Sequence, residues 1–244
     1  MRIEYYGKKL KQLFMQNRNI LLPLLATLAL VLIVEVLCAQ RPFRGRIVYN
    51  ITYPGSMIDL AELQELPDRA VITTKNNMAR TELTGEKAGL SQIKISNGQT
   101  RETATMLEIL REKYVIERNP PEIQNMLRNM PQPEFEYTNE VVEILGYECR
   151  KVIARITDDF GVEHESEIFY TPDIPGNVFN FDTPYHSIPG LMLKYEMRVG
   201  PLNIRYEAQS VRRRLFVGSR NFYVTRDYTP ITYEELRDRL QGNF

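Results

Sequence analysis

Cysteine and histidine are scarce in this chain, which contains only two residues of each. Cys38 belongs to an N-terminal apolar segment, so the rest of the chain has the single thiol of Cys149 and no internal disulfide is expected. His164 and His186 lie 22 residues apart, without companion ligands at metal-binding spacing. The sequence therefore predicts no metal site and no cofactor, and stability must come from side-chain packing.

An excess of charge of one sign is also absent. The chain has 31 basic and 31 acidic residues, and removing residues 1–39 leaves 26 basic and 29 acidic ones. Nucleic-acid binding depends on a positive surface, so a nucleic-acid partner is not predicted. Internal repeats and low-complexity linkers are lacking too, which indicates one main domain after residue 39.

One long apolar run is present, at residues 20–34, and it carries no charge. It follows a stretch with four basic residues: Lys8, Lys9, Lys11 and Arg18. This arrangement is typical of a signal peptide, with Ala39 as the last residue before cleavage. The alternative is an uncleaved anchor in the inner membrane. Both interpretations place the remainder outside the cytoplasm, in the periplasm, the outer envelope or the medium.

Strict alternation of apolar and polar residues dominates the exported part and predicts antiparallel strands with one polar face. Ile47, Tyr49, Ile51 and Tyr53 form one such series. A second series, at residues 191–199, continues after Gly200-Pro201 with Ile204, Tyr206 and Ala208, which indicates a hairpin. Asn97-Gly98 predicts another hairpin, and residues 139–146 are interpreted as a further turn or short connection.

Helices are few. Asn119-Pro120 opens a short helix with apolar residues at helical spacing, and Pro131 closes it. Its apolar residues are Ile123, Met126, Leu127 and Met130. Residues 56–66 are a weaker candidate, and Thr232 with Glu235 predicts a capping box for a terminal helix. We therefore expect three segments: a signal or anchor at 1–39, a β-domain at 40–230 and a C-terminal helix at 231–244.

Three segments resemble a known family. Residues 144–151 (ILGYECRK) are similar to the I-x-G-Y-x-C-K-K signature of the GLPGLI family and the related domain of unknown function 4412. Residues 168–175 (IFYTPDIP) resemble that family's W-Y-T-x-D-I-P segment, with Phe169 in place of Trp. Residues 188–193 (IPGLML) stand where the family has G-L-P-G-L-I, so the chain resembles a divergent member over about residues 44–215.

The resemblance implies secretion into a Gram-negative envelope and a sheet like that of the periplasmic lipoprotein carriers. The expected fold is thus mainly β (α+β): an antiparallel, curved half-barrel with a few short helices on its concave side. The family implies no established activity and provides no catalytic residue to transfer to this chain.

Candidate chemistry in the sequence is weak. Cys149 with His164 or His186 is the only cysteine-based nucleophile–base combination, but a single cysteine in a strand is more often a small buried apolar residue. Glu163, Glu165 and Glu167 share one strand face and could bind calcium or a basic partner, although a solvated outer face is the simpler interpretation. The sequence does not predict an enzyme.

The leading hypothesis is a non-enzymatic envelope protein that binds a lipid-like hydrophobic ligand or an envelope protein. The predicted ligand-binding residues are Ile123, Met126 and Met130 on a helix that acts as a lid, and Tyr195, Met197, Ile204 and Tyr206 on the sheet. The alternative is a membrane-anchored assembly module that makes protein contacts through exposed edge strands.

Overall fold

The computed structural model describes residues 42–85, 87, 91–109, 111–157, 161–213 and 216–241. The predicted signal or anchor lies outside the described residues. The chain divides into two compact units, Met1–Arg41 and Pro42–Phe244, of which only the second is described below. Among the described residues, no helix is both long enough and apolar enough to cross a membrane.

Twelve strands, three α-helices and one 3₁₀ turn make up the described part of the second unit. The strands are β1 (Gly45–Thr52), β2 (Arg69–Lys75), β3 (Met78–Thr84), β4 (Ser91–Asn97), β5 (Glu102–Ile109), β6 (Glu112–Arg118), β7 (Glu134–Ile144), β8 (Tyr147–Thr157), β9 (Glu163–Pro175), β10 (Gly190–Val199), β11 (Leu202–Arg213) and β12 (Thr229–Pro230). The helices are α1 (Leu60–Gln64), α2 (Pro120–Arg128) and α3 (Tyr233–Gln241), and the 3₁₀ turn is Ser219–Phe222. The predicted mainly β class is confirmed.

All twelve strands belong to one sheet, in the order β12-β6-β5-β4-β3-β2-β1-β11-β10-β9-β8-β7. Two antiparallel meanders, β1 to β6 and β7 to β11, meet where β1 pairs with β11. The short β12 adds to β6 in parallel, the one exception among the described strand pairs to the predicted antiparallel pairing. The sheet is open, because β12 and β7 form its two edges.

The connection that contains α2 requires this sheet to curve. It leads from β6, next to one edge, to β7 at the other edge, ten strand positions away. Ten positions in a flat sheet span about 48 Å at the usual strand spacing. The connecting segment, partly helical, reaches at most about 40 Å. The two edges must therefore approach each other, which supports the expected curvature.

The predicted hairpins and caps are confirmed, with two corrections. β10 and β11 pair around Gly200-Pro201, and the side chains of Asn119 and Glu122 form a capping box at the start of α2. Residues 139–144, however, belong to β7, and only Leu145-Gly146 forms the turn to β8. A β-bulge between Tyr137 and Val141 contains the polar residues Asn139 and Glu140. The sequence predicts a turn at these two residues, but the strand continues through them. The helix predicted at residues 56–66 is limited to α1.

Apolar side chains cover both faces of the sheet. The largest cluster joins β1 with β9 and β10, and its fully buried members include Ile47, Ile174 and Leu193. Leu236 of α3 packs with Leu107, Tyr114 and Ile116 on β5 and β6. Val224 and Tyr228 pack on the other face of the same strands, beside Ile95 and Met106.

Candidate functional site

A half-buried apolar strip crosses the centre of the sheet on one face. Tyr195 of β10 is paired with Tyr206 of β11, and Met197 is paired with Ile204. Residues paired across antiparallel strands share a face, so these four predicted site residues lie together. Tyr53 and Leu83 pack against the largest apolar cluster, as do Tyr195, Ile204 and Tyr206. All six side chains are half-buried. We call these six residues the apolar strip.

Four tyrosines form an aromatic cluster at one end of the strip. The rings of Tyr195 and Tyr206 stack with a centroid distance of 4.8 Å and an interplanar angle of 7°. Tyr49 meets both edge-on, at 6.2 and 6.3 Å, and Tyr185 meets Tyr195 edge-on at 6.2 Å. Such contacts add stability beyond that of the buried area, so the cluster is a rigid platform.

The hydroxyl groups of the cluster divide into two kinds. Tyr49 donates a 2.8 Å hydrogen bond to the Met192 carbonyl, and Tyr185 donates a 2.6 Å bond to the Glu196 carbonyl. The hydroxyls of Tyr195 and Tyr206 make no hydrogen bond within the described part of the chain. Burial raises the pKa of Tyr206 to about 12 and that of Tyr195 well above its usual range, so both hydroxyls are neutral donors at neutral pH.

The loop of residues 176–189, between β9 and β10, places Tyr185 on this platform. Its conformation is fixed by Asn180, whose buried amide donates to the Ile188 and Gly190 carbonyls at 3.1 and 3.0 Å. Asp182 of the same loop forms a 2.7 Å ion pair with Lys94 of β4. The loop thus reaches from β10 to a strand five positions away in the sheet. A loop that bridges such distant strands lies on the concave side of the curved sheet.

Asp182 is an unusual group in this loop. Its side chain is only 8% exposed, and its Oδ1 atom is buried without a hydrogen-bond partner among the described residues. Its negative charge is one of the causes that raise the pKa of Tyr195, after burial and the neighbouring tyrosines. The carboxylate therefore lies close to the tyrosine cluster and has unused acceptor capacity.

The structure brings the four predicted sheet residues together but does not join them to the three predicted helix residues. Ile123 is buried, Met126 is half-buried and Met130 is 37% exposed. No hydrophobic cluster of the described residues includes both Ile123 and Tyr195. Helix α2 lies in the connection between the sheet edges, and loop 176–189 supplies the aromatic cover instead.

Sequence reasoning missed Tyr49, Tyr185, Asp182 and Lys94 as members of the site. The alternation places Tyr49 on the apolar face of a strand but does not assign it to a site. The other three come from segments far apart in sequence, and Lys94 and Asp182 are 88 residues apart. The one available signal was the density of aromatic residues in loop 176–189, which is unusual for a surface loop.

Two concave regions are lined by none of the six strip residues. A groove of about 560 Å³ runs beside the start of α2, with Asn97, Glu117, Arg118, Glu122 and Phe222 in its wall. A polar cleft of about 220 Å³ opens where β9 and β10 separate beyond the Phe169–Lys194 pair. Its wall includes His164, Ser166, Tyr185, Glu196 and Arg198, and an Arg198 guanidinium nitrogen lies 2.9 Å from His164 Nδ1.

The thiol of Cys149 is not placed for nucleophilic catalysis. It is fully buried, and burial raises its pKa to about 11, so the thiol is protonated at neutral pH. Arg150 pairs with Tyr170, which puts Cys149 about seven residues, or ~23 Å, along the sheet from His164. The interpretation of Cys149 as a small buried apolar residue is confirmed.

The acidic row on β9 is a solvated outer face, as the simpler interpretation had it. Glu165 pairs with Arg155 at 3.0 Å, and Glu167 pairs with Lys151 at 2.5 Å. Both cations also pair with β7 carboxylates, those of Glu136 and Glu140 respectively. No group of three or more metal-binding side chains is present in the described ranges.

Comparisons with known proteins give only distant similarities. No family model matches the chain, and no curated protein matches it. Two crystal forms of PNGF-II are similar to 80% of this chain at 20% and 19% identity, each with a TM-score of 0.49. The chain spans only about a third of PNGF-II, 33% and 32% in the two forms. LprF from Mycobacterium bovis is similar over 72% of this chain and 89% of its own length, at 10% identity and a TM-score of 0.30.

Proposed function

We propose that this chain is a non-enzymatic, exported envelope protein that holds a lipid-like hydrophobic ligand against the apolar strip. The observation that carries the proposal is the half-burial of six apolar side chains on the concave face, next to buried core residues such as Tyr49 and Leu193. Since exposed apolar area is unfavourable by about 25 cal/mol per Å², covering the strip stabilises a complex.

The shape of the site supports an elongated ligand. The strip residues come from β10, β11, β3 and the end of β1, so they span a part of the sheet that is five strands wide and includes β2. The stacked pair of Tyr195 and Tyr206 forms a flat apolar wall, while Met197 adds a flexible side chain that adapts to its neighbour. An alkyl chain needs this kind of surface, because it contributes area without directional bonds.

Titration with a fluorescent fatty-acid analogue tests the proposal. We expect saturable binding by the wild-type chain and at least a tenfold loss of affinity in Met197→Glu, because the new carboxylate lies where the alkyl chain rests. Val141→Glu is the matched control, since Val141 is 50% exposed on the β7 edge, away from the strip. Equal affinity of the two variants, or no binding by the wild type, would refute the proposal.

A second candidate function rests on β7. This eleven-residue strand is one edge of the sheet, and it exposes Tyr137 at 53% and Val141 at 50%. An edge of this length is a template for strand addition by an envelope partner. The same Val141→Glu variant would then lose a co-purifying partner while keeping its ligand, and Met197→Glu would show the opposite pattern.

We also infer that the chain is a divergent relative of the GLPGLI family. The three segments that carry the resemblance contribute to one apolar cluster, through Tyr147 and Cys149, Phe169 and Ile174, and Leu191. Their pattern is thus explained by packing around two turns rather than by a reactive site, in agreement with a family without known catalytic residues. An alignment that keeps these positions apolar in close homologues would support the inference.

A further inference from the structure

We propose that one end of the sheet docks on a lipid bilayer and connects it to the apolar strip. The surface consists of Met57, Leu60 and Val199, which we call the apolar rim. Their side chains are 76%, 72% and 51% exposed, respectively. The inference rests on the proposed function, since it supplies the route by which a membrane-derived ligand reaches the strip.

The rim residues lie on two segments that are hydrogen-bonded together. The Met57 amide donates a 3.0 Å bond to the carbonyl of Pro201 in the β10–β11 turn. The Asn203 amide donates a 2.9 Å bond to Ser56 Oγ. The loop after β1 and the β10–β11 turn therefore form one surface at the same end of the sheet.

The rim is continuous with the strip. Val199 is the last residue of β10, and it shares the face of Met197 and Tyr195 because residues two apart along a strand point the same way. Tyr53 follows β1 and leads directly into the loop that carries Met57. An alkyl chain that leaves the strip past Met197 thus meets the rim before it meets water.

A lipid surface fits the rim better than a protein partner does. Three exposed side chains amount to a few hundred Å² of apolar area, whereas a stable protein interface buries about 800 Å² on each partner. Interfacial binding to a bilayer scales with the buried apolar area, so a few inserted apolar side chains give a weak, reversible contact without the area that a protein interface needs. Asp59, Glu62 and Glu65 flank the rim, so a zwitterionic surface is favoured over an anionic one.

A label at the rim tests this inference directly. In the full chain with Cys38→Ser, Met57→Cys is coupled to an environment-sensitive fluorophore, while the buried Cys149 does not react. We expect a blue shift and increased emission on adding phosphatidylcholine vesicles. Leu60→Cys is a second site at which the same response is expected. Phe216→Cys, at a position 93% exposed outside the rim, is the control and should not respond.

Two results would overturn the inference: no spectral change at Met57 and Leu60, or an equal change at Phe216. Binding of the fluorescent fatty-acid analogue is measured on the same labelled proteins. An unresponsive rim together with a bound ligand would refute the docking surface and leave the proposed function intact. A responsive rim without ligand binding would refute the proposed function instead.

Discussion

Individual tyrosines carry much of the structural information at the residue scale. The four clustered tyrosines each combine a packed aromatic ring with a hydroxyl. The hydroxyls of Tyr49 and Tyr185 donate to carbonyls, and those of Tyr195 and Tyr206 make no hydrogen bond within the described residues. The first two hydroxyls fix the platform, and the last two are available to a ligand. This division distinguishes substitutions that change stability from those that change binding.

Tyr49→Phe should lower the free energy of unfolding by about 1 kcal/mol, because it removes a buried 2.8 Å hydrogen bond and leaves the Met192 carbonyl without that donor. Tyr137→Phe is the control, since Tyr137 is 53% exposed, and it should change stability by less than about 0.5 kcal/mol. Urea unfolding of both variants measures the difference. Equal effects would show that the Tyr49 hydroxyl contributes nothing.

Alkaline pH should unfold the protein. Burial is the main cause that raises the pKa of Tyr53, Tyr185 and Tyr206 from 10.0 to about 12. Since the folded state holds these protons more tightly, their contribution is fully present below pH 10 and is lost as the pH rises to about 12. Tyrosinate absorbance at 295 nm should therefore rise together with the loss of circular dichroism. Full ionisation of all tyrosines near pH 10 in a folded protein would contradict this.

Loop 176–189 is the decisive feature at the element scale, because it places both Tyr185 and Asp182 over the sheet. The Lys94–Asp182 pair is asymmetric, with 24% of the lysine side chain but only 8% of the aspartate side chain exposed. Lys94→Met leaves a buried carboxylate without its cation and should cost about 2–3 kcal/mol. Asp182→Asn leaves a lysine that reaches water and should cost less than about 1 kcal/mol. Urea unfolding compares the two, and a larger loss in Asp182→Asn would refute this account of the loop.

The β7–β8 turn offers a substitution that should stabilise the protein. Both Leu145 and Gly146 have positive φ, 55° and 79°, which favours asparagine followed by glycine. Leu145→Asn should therefore raise the free energy of unfolding by about 0.5–1 kcal/mol, and Gly146→Ala should lower it by about 1 kcal/mol. Gly218→Ala is the control, because φ at Gly218 is −64° and alanine fits there. Thermal unfolding measures all three, and a destabilised Leu145→Asn would contradict the turn geometry.

The sequence predicted the local elements well and their arrangement poorly. Period-two alternation identifies β1, β10 and β11, and the capping residues identify α2 and α3, because these signals are local. The helical spacing of Ile123 and Met126 shows that α2 has an apolar face, but it does not show which surface that face covers. The sequence of loop 176–189 shows no apolar periodicity. Its position over the sheet depends on long-range contacts such as the Lys94–Asp182 ion pair, which no local sequence pattern predicts.

At the scale of the whole molecule, one open sheet carries an apolar strip on its concave side and an apolar rim at one end. Two meanders joined through β1 and β11 place Tyr53, Ile204 and Met197 side by side, although they come from opposite ends of the chain. The central claim is that this arrangement exists to hold a hydrophobic ligand.

Native mass spectrometry of the protein isolated from its own cells tests that claim most directly. We predict a fraction of molecules with a noncovalent adduct of lipid mass, released by organic extraction, and a much smaller fraction in Met197→Glu expressed at the same level. Val141→Glu should keep the adduct. A wild-type protein that carries no adduct and binds no added fatty-acid analogue would contradict the account.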